Sequence, residues 1–183
     1  MIDTRILIDQ LHKKNIAKLV PDFSDFKLLY RGSRDGFTHD AFHKNCDQQG
    51  PTLTIVRSNY NKIFGGFTNI SWKRTSGLQK WQNQSFVFFQ KPDQSFQKIP
   101  SSSNYGEIQG YSGKFAIFGH TLYREALILR DNANNRDDNG CHSMVAYPTE
   151  EILGLDSKSV EAKSLLGGAV QYRVLEVEVF GLR

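Results

Sequence analysis

The segment TLTIVRSNYNKIFGGFT, residues 52–68, predicts two β-strands joined by a tight turn. Residues 52–57 are rich in β-branched side chains, which favour strands because they pack well on a pleated surface. Residues 58–61 have the composition of a hairpin turn, and residues 62–68 form the second strand. Gly65 and Gly66 inside that strand indicate a β-bulge or a close approach of another part of the backbone.

Further strands are predicted on both sides of this hairpin by the same signals. They comprise residues 26–31, 85–89, 97–99 as an edge strand, 114–118, 126–130 and 171–180. Residues 122–129 also fit a helical period, so a helix is the alternative there. In the last strand Leu175, Val177 and Val179 alternate with Glu176 and Glu178, which predicts one buried face and one face in water.

Two helices are predicted in the first quarter of the chain. Residues 4–20 form an amphipathic pattern that Pro21 stops, and residues 39–46 form a short helix. Thr38 suits the N-cap of the short helix, and Phe37 before it would pack on Phe42 as a hydrophobic staple. Turns or polar loops are predicted for residues 32–36, 73–84, 91–94, 101–104 and 131–140.

Many short strands with hairpin-like connections and few helices predict a mostly β protein, namely an antiparallel β-sandwich with short helices at its margins. The sequence shows no internal repeat and no change of composition that marks a domain boundary. We therefore predict a single domain over residues 1–183, with residues 1–25 as an N-terminal helical extension packed on it.

Charge and cysteine content argue against several classes of protein. The 23 basic and 19 acidic residues give a net charge of +4, and they are interleaved as on an ordinary solvated surface. The two cysteines cannot form a disulfide framework, and no apolar run is long enough for a signal peptide or a membrane span. We expect a cytoplasmic protein without membrane insertion, and a nucleic-acid-associated module is only the third hypothesis for its function.

A set of motifs in the first half of the chain occurs in a specific order and spacing. They are LLYRGSRDGF at residues 28–37, FHxxCD at 42–47, TLT at 52–54, IFGGFT at 63–68, and Trp72. Together they resemble the start of the TLDc family. Scattered similarities follow, at Phe118-Gly119, at Tyr147-Pro148 and in the closing residues 174–180.

The resemblance implies a sandwich of two antiparallel sheets flanked by small helices, and a link to oxidative-stress resistance. Some TLDc proteins bind and regulate the vacuolar-type proton pump, and the family has no established catalytic site. The chain is similar to the short members, which lack companion modules such as LysM or Rab-GAP-like domains. The matching motif residues, interpreted as mainly structural, are Arg31, Ser33, Arg34, Asp35, Gly36, Phe42, His43, Cys46, Gly65, Gly66, Trp72, Phe118 and Gly119.

The histidines of the HDAFH segment, His39 and His43, lie four residues apart, as in zinc proteases, where two such histidines share a metal. Asp40 replaces the glutamate that such enzymes need, and the sequence signals no third ligand nearby. The preferred interpretation is a capped helix whose Phe42 and Cys46 face the core while His39 lies in water.

Cys46 and Cys141 are the two possible nucleophiles of a thiol-dependent enzyme. A reactive thiolate needs exposure and a cationic neighbour or a helix N-terminus. Cys46 lies instead near the C-terminus of its helix beside Asp47, where the helix dipole disfavours an anion. Cys141 is next to His142, but neighbouring side chains in a strand point to opposite faces.

The segment from Asn135 to Gly140 imitates the start of a calcium loop, but Ala146 occupies the position of the closing glutamate. Neither a nucleophile elbow nor a phosphate-binding glycine loop is present in the sequence. We therefore predict no catalytic residue, no cofactor and no metal.

The leading hypothesis is a non-catalytic protein-binding and regulatory module, monomeric in isolation. By the family resemblance its partner is a vacuolar-type ATPase subunit, through which it would be recruited to acidic organelles. The alternative is a thiol-dependent enzyme of oxidant defence that uses Cys46 or Cys141.

Overall fold

A computed structural model describes residues 3–7, 10–20, 25–74, 79–80, 85–101, 107–109, 114–120, 124–142 and 144–182 of the 183-residue chain. Within these ranges the α-helices are α1 (Gln10–Leu19), α2 (Gly32–Asp35), α3 (His39–Cys46), α4 (Thr149–Leu153) and α5 (Val160–Ser164). None of these described helices is long and apolar enough to cross a membrane.

The described strands, in chain order, are β1 (Phe26–Arg31), β2 (Thr52–Ser58), β3 (Ile63–Thr68), β4 (Gln79–Lys80), β5 (Phe86–Gln90), β6 (Phe96–Pro100), β7 (Glu107–Gln109), β8 (Lys114–His120), β9 (Arg124–Arg130), β10 (Asn139–Gly140), β11 (Gln171–Tyr172) and β12 (Val174–Leu182). The first sheet has the order β1-β12-β2-β3-β5-β6, and the second has the order β11-β10-β9-β8-β7-β4. The strand pairs are antiparallel, so the predicted fold of two antiparallel sheets with small flanking helices is confirmed.

The central hairpin forms as predicted, with β2 and β3 paired without any shift in register. A β-bulge at the glycine pair is therefore excluded, and close approach is the reason for both glycines. A Cβ atom on Gly65 would lie 1.9 Å from the carbonyl oxygen of Thr54. A Cβ atom on Gly66 would lie 2.6 Å from the ring of Phe118, which belongs to the second sheet.

The main core lies between the two sheets. Strands of the first sheet contribute side chains such as Val56, Phe64 and Val177, and the second sheet contributes residues such as Phe118 and Leu127. Burial of these apolar faces is the main favourable contribution to folding.

A second core lies on the opposite, outer face of the first sheet. There the N-terminal residues Ile6, Leu7, Ile16 and Val20 are buried against sheet residues that include Leu53, Ile55, Phe88 and Phe180. The first sheet is thus covered on both faces, by the second sheet on one and by the N-terminal segment on the other.

The N-terminal helix is shorter than predicted from residues 4–20. It begins at Gln10, and the Oγ1 atom of Thr4 instead accepts hydrogen bonds from the backbone nitrogens of Ile6 and Leu7, at 3.2 and 3.1 Å. Such local bonds from a threonine side chain compete with helix formation, which accounts for the difference. Pro21, the predicted stop, lies outside the described residues.

The C-terminal strand predicted over residues 171–180 is in fact two strands in different sheets. β11 pairs with β10 in the second sheet, and β12 pairs with β1 and β2 in the first. The register of β12 against β2 shifts between Val174 and Glu176, so Leu175 is an extra residue at a β-bulge.

Several segments predicted as turns or loops hold short regular elements. Residues 32–36 contain α2, residues 73–84 contain β4, and residues 131–140 contain a 3-10 helix (Ala133–Asn135) and β10. Most of the remainder of 73–84 and of 101–104 lies outside the described residues. Residues 124–130 form a strand, so the helical alternative for 122–129 is wrong, and the turn at 91–94 is confirmed by a 2.9 Å hydrogen bond from Gln94 N to Lys91 O.

Candidate functional site

Several of the motif residues meet in the main core as a chain of aromatic rings. Phe42 contacts Tyr30 and Trp72 edge-to-face, with ring centroids 5.8 and 5.3 Å apart. Trp72 contacts Phe118 in the same manner at 5.5 Å, and Gly66 makes room for the Phe118 ring. This geometry is favoured by the ring quadrupoles and links α3 to both sheets.

Trp72 is also fixed by polar contacts. Its Nε1 atom donates to Thr52 Oγ1 at 2.8 Å, and its carbonyl oxygen accepts from Gln48 N at 3.1 Å. Cys46 is fully buried in the same cluster. The motif residues at these positions therefore contact the interior of the protein itself.

His43 connects the end of α3 to the residues after β3. Its Nδ1 atom lies 2.6 Å from Asp47 Oδ1, and Asp47 Oδ2 accepts from Arg74 N at 3.1 Å. Burial lowers the pKa of His43, and the hydrogen bond with Asp47 opposes that shift only in part, so the imidazole is neutral at pH 7. His39 was expected in water, which is wrong: its side chain is only 13% exposed, and its ring centroid lies 4.5 Å from that of His43.

A second group of motif residues lies under the N-terminal segment, on the outer face of the first sheet. Arg31 Nε donates to Glu178 Oε1 at 2.8 Å, and an Arg31 terminal nitrogen donates to Asp3 Oδ1, also at 2.8 Å. Glu178 is fully buried and also accepts from Thr4 Oγ1 at 2.5 Å and from Arg5 N at 2.7 Å. We call these five residues the Arg31 network.

Asp35 and Arg34 close the turn beside this network. Asp35 Oδ2 accepts from Arg31 N at 2.9 Å, and Arg34 forms two hydrogen bonds of 2.8 Å with the Asp35 carboxylate. The Arg34 hydrogen bond lowers the pKa of Asp35. The carboxylate therefore stays ionised and holds the turn in place.

Ser33 and Gly36 complete the same motif. Ser33 N donates to Glu176 Oε1, and the Ser33 hydroxyl accepts from Arg5, both at 3.1 Å. The carbonyl oxygen of Gly36 accepts from the Tyr30 hydroxyl at 2.6 Å. Gly36 has φ +97°, a conformation that side chains other than glycine rarely adopt.

The remaining motif glycine, Gly119, lies in β8 next to Phe118. The pairing of β8 with β9 shifts its register between these two residues, and Gly119 has φ +109°. A glycine is required there because the bulge needs a backbone conformation that a Cβ atom disfavours.

A groove opens on the outer face of the first sheet, beside the N-terminal segment, which contributes Ile6 and His12 to its lining. Its volume is about 270 Å³, and its apolar walls are Ile6 and Ile63. The polar side chains that line it are His12, Arg57, Asn61, Gln90 and Gln94. We call it the Arg57 groove.

Three exposed apolar side chains neighbour residues of the groove in sequence or in strand register. Tyr60, which is 51% exposed, precedes Asn61 in the β2–β3 turn, and Leu175, 46% exposed, is the extra residue at the bulge opposite Arg57. Leu11 is exposed on α1 directly before His12. Among the described residues, these are three of the five large apolar side chains that are exposed.

The family model of the TLDc domain matches residues 1–183 of the sequence. The chain belongs to the TLDc family. TLDc proteins form a regulatory family of the oxidation-resistance type, and the aromatic cluster and the Arg31 network show how the TLDc motifs are used in this fold. A search among curated proteins finds no match to the chain.

Both thiols of this TLDc domain are inside the fold. Cys46 is fully buried, Cys141 is 3% exposed, and neither forms a disulfide. Burial raises the pKa of the Cys46 thiol well above its usual value, with a smaller contribution from Asp47. Because the thiolate is the nucleophile, this environment opposes thiol chemistry at Cys46.

Metal binding finds little support in the part of the TLDc domain that the structure describes. No three His, Cys, Asp or Glu side chains in those ranges are grouped closely enough to hold an ion. In the calcium-like segment, Asn139 accepts from Arg130 N and donates to the carbonyl oxygens of Ala133 and Tyr172. Its side chain therefore ties β10 to its neighbours.

The predicted positions of Glu176 and Glu178 are wrong as well. Both were predicted to lie in water and both are buried, whereas Leu175 was predicted to be buried and is exposed. The bulge at Leu175 changes the alternation, and the N-terminal segment covers the face that carries Glu178. No sequence signal marks Arg57 as a functional residue, and only the tertiary structure distinguishes it from the other arginines.

Proposed function

We propose that this TLDc domain is a non-catalytic regulatory module that binds a protein, and that its partner is a subunit of the vacuolar-type proton ATPase. One observation carries the proposal: both thiols are buried, whereas exposed apolar side chains neighbour, in sequence or in strand register, residues that line an open groove. The pump as partner rests on the resemblance to TLDc proteins that regulate it, which is an argument by family analogy.

The buried position of the candidate nucleophiles supports a non-catalytic role. Cys46 and Cys141 cannot meet a substrate in the described conformation, because solvent reaches almost none of their surface. His43 is neutral and bonded to Asp47, and it lies in no group of metal ligands among the residues described. Neither thiol is therefore an accessible nucleophile in the described conformation.

The surface beside the Arg57 groove supports protein binding. Tyr60 offers an exposed aromatic ring next in sequence to Asn61 of the lining. Leu11 is exposed next to His12, and Leu175 is exposed at the bulge opposite Arg57. Tyrosine and arginine are the residue types enriched at the energetic centres of protein interfaces. By the same family analogy, the partner would lie in the cytoplasm and would recruit the domain to acidic organelles.

Affinity capture from native lysate tests the proposal. The wild-type chain should recover pump subunits at stoichiometric levels, and a Tyr60→Ser, Leu175→Ser variant should recover at least about tenfold less, as expected when interface centres are truncated. The matched control is Ile152→Ser with Val160→Ser, which removes two exposed apolar side chains that belong to α4 and α5 and have no neighbour in the groove lining. Failure of the wild-type chain to recover pump subunits reproducibly would reject the proposed partner.

The alternative of a thiol-dependent enzyme has its own test. A Cys46→Ala, Cys141→Ala variant that folds and keeps the full protective effect in oxidant-treated cells eliminates thiol chemistry. Loss of protection in a variant with an unchanged melting temperature would instead support the enzyme. Binding to nucleic acid is tested by titration at low ionic strength, where an electrostatic interaction is strongest.

A further inference from the structure

Arg57 differs from every other arginine whose side chain the structure describes. Arg5, Arg31, Arg34, Arg74, Arg130, Arg136 and Arg173 each make a hydrogen bond or an ion pair through the side chain. Arg57 makes neither within the described ranges, and its Nε atom is buried without a hydrogen-bond partner. A partly buried guanidinium in this state has lost some of its hydration and has gained no partner in return.

Among the described residues that line the groove, none carries a negative charge. The carboxylate opposite Arg57 in strand register is that of Glu176, which accepts instead from Ser33 N and Val177 N. The groove is lined by the amides of Asn61, Gln90 and Gln94 and by the ring of His12, and Gln90 Nε2 lies 2.7 Å from His12 Nε2. Asp93 precedes Gln94 in sequence, but its Oδ1 atom already accepts from the backbone nitrogen and the hydroxyl of Ser95, at 3.0 and 2.6 Å. The lining is thus complementary to an anion.

The shape and the charge of the groove favour a carboxylate over a phosphate. Ile6 and Ile63 provide apolar walls that suit the methylene groups of an acidic side chain. One arginine balances the single charge of a carboxylate, whereas a phosphate monoester carries close to two charges and is usually bound by several cations. The volume of about 270 Å³ accommodates one amino-acid side chain with its immediate neighbours.

We propose that the Arg57 groove binds a glutamate or aspartate side chain of a partner protein, with the guanidinium of Arg57, including its Nε–H, donating to the carboxylate. The flanking residues of that segment would pack on Tyr60 and Leu175. This inference rests on the proposed protein-binding function and names the chemistry of the segment that is bound.

A titration with a defined peptide tests the groove directly. The probe is acetyl-Leu-Glu-Leu-amide, and the matched probe is acetyl-Leu-Gln-Leu-amide, which keeps the shape and removes the charge. Arg57 Nε–H gives its own NMR signal, which should shift on titration with the glutamate peptide. We expect the glutamine peptide and the Arg57→Gln variant each to bind at least about tenfold more weakly than the wild-type pair, which corresponds to a lost charge-assisted hydrogen bond.

The control variant is Arg173→Gln, which removes an exposed arginine outside the groove lining and should leave peptide binding unchanged. Equal affinity of wild type and Arg57→Gln for the glutamate peptide would overturn the inference. So would inorganic phosphate competing fully with the peptide at equal concentration, because the site would then be a general anion site.

Affinity capture separates this inference from the proposed function. If Arg57→Gln loses pump subunits that the wild type recovers, both proposals gain support. If Arg57→Gln recovers them as well as the wild type does, the groove inference is wrong and the proposed partner stands. If the wild type recovers none but binds the glutamate peptide through Arg57, the groove inference stands and the proposed partner is wrong.

Discussion

Arg31 in β1 and Arg57 in β2 lie on the outer face of the same sheet, on opposite sides of β12, and they are used in opposite ways. Arg31 is buried and bonded to Glu178 and Asp3. Arg57 is partly buried, and no described residue accepts a hydrogen bond from its guanidinium. The N-terminal segment covers the first arginine and leaves the groove of the second open.

The charge of Arg31 has a structural role, whereas the charge of Arg57 is available for binding a partner. The Arg31 network joins the chain start to β12, across 147 residues of sequence between Arg31 and Glu178, and its bonds are completed inside the molecule. An arginine without an internal partner contributes little to the folded state and can gain a partner on binding. On the same sheet face, Arg31 therefore contributes to the stability of the fold, and Arg57, in our proposal, contributes to the binding of a partner.

Substitution of Arg31 should have the largest effect on stability. Arg31→Met leaves the buried carboxylate of Glu178 without its charge partner, so we expect the free energy of unfolding to fall by about 3–5 kcal/mol. Urea denaturation measures this change in the free energy of unfolding. The matched control, Arg57→Met, should change stability by no more than about 0.5 kcal/mol, because no interaction is broken. Equal costs for the two substitutions would contradict the distinction between the two arginines.

A variant that does not fold would leave that cost unmeasured, so Arg31→Lys serves as a second measurement. Lysine keeps the charge but cannot reproduce the fork that reaches both Glu178 and Asp3. Its cost should fall between those of Arg31→Met and Arg57→Met.

Replacing both members of the buried pair should restore part of the loss. Arg31→Met with Glu178→Leu removes the unpaired charge and leaves two apolar side chains on a face that is already largely apolar. We expect the double variant to be more stable than Arg31→Met alone by about 2 kcal/mol. A double variant whose loss equals the sum of the two single losses would show that the pair is not coupled.

The contribution of Thr4 should be smaller. Thr4→Val removes a hydrogen bond of 2.5 Å to a buried carboxylate, together with the bonds to Ile6 N and Leu7 N. Thermal and urea unfolding should show a loss of about 1.5–3 kcal/mol, as is usual for a bond to a charged group. Thr4→Ser keeps the hydroxyl and is the control, and a loss as large as that of Thr4→Val would mean that the methyl group, not the hydroxyl, matters.

The strands of the sandwich could be predicted because local pattern and tertiary position agree there. Residues 52–57 and 62–68 carry β-branched and aromatic side chains, which favour an extended chain. Both faces of the sheet are buried, so burial favours the same side chains and the same conformation. The cap at Thr38 was likewise local: its side chain accepts from Ala41 N at 3.2 Å, as predicted.

The burial of Glu176 and Glu178 could not be predicted, because it depends on parts of the chain that are distant in sequence. Alternation of Leu175, Val177 and Val179 with two glutamates is the usual pattern of a half-exposed strand. Here the partners of Glu178 lie near the N-terminus, and the bulge exposes Leu175. Nothing local signals either event.

The Arg57 groove also could not be predicted from the sequence. Arg57 follows a strongly β-forming run, and by sequence alone it resembles Arg31, which likewise ends a strand. The tertiary structure distinguishes them. Ile6, His12 and Gln90 surround Arg57 without accepting a hydrogen bond from it, whereas Arg31 has carboxylate partners. Motifs identified the family, whereas the surface for binding depends on how the N-terminal segment packs.

The outermost member of the Arg31 network, Asp3, should give the smallest effect and a pH-dependent one. The hydrogen bond from Arg31 lowers the pKa of Asp3 below the usual 3.8, so its contribution to stability is complete above that value and is lost as the pH falls through the lowered pKa. Because the Asp3 side chain is 70% exposed, we expect Asp3→Asn to cost no more than about 0.5 kcal/mol at pH 7. Urea unfolding of wild type and variant at pH 7, 5 and 3 should show this difference at the two higher values and a smaller one at the lowest. Asp137→Asn is the control, since that carboxylate lies 3.9 Å from an exposed arginine. A difference between wild type and Asp3→Asn that grows as the pH falls would have the wrong sign for an aspartate held ionised by Arg31, and would remove Asp3 from the network.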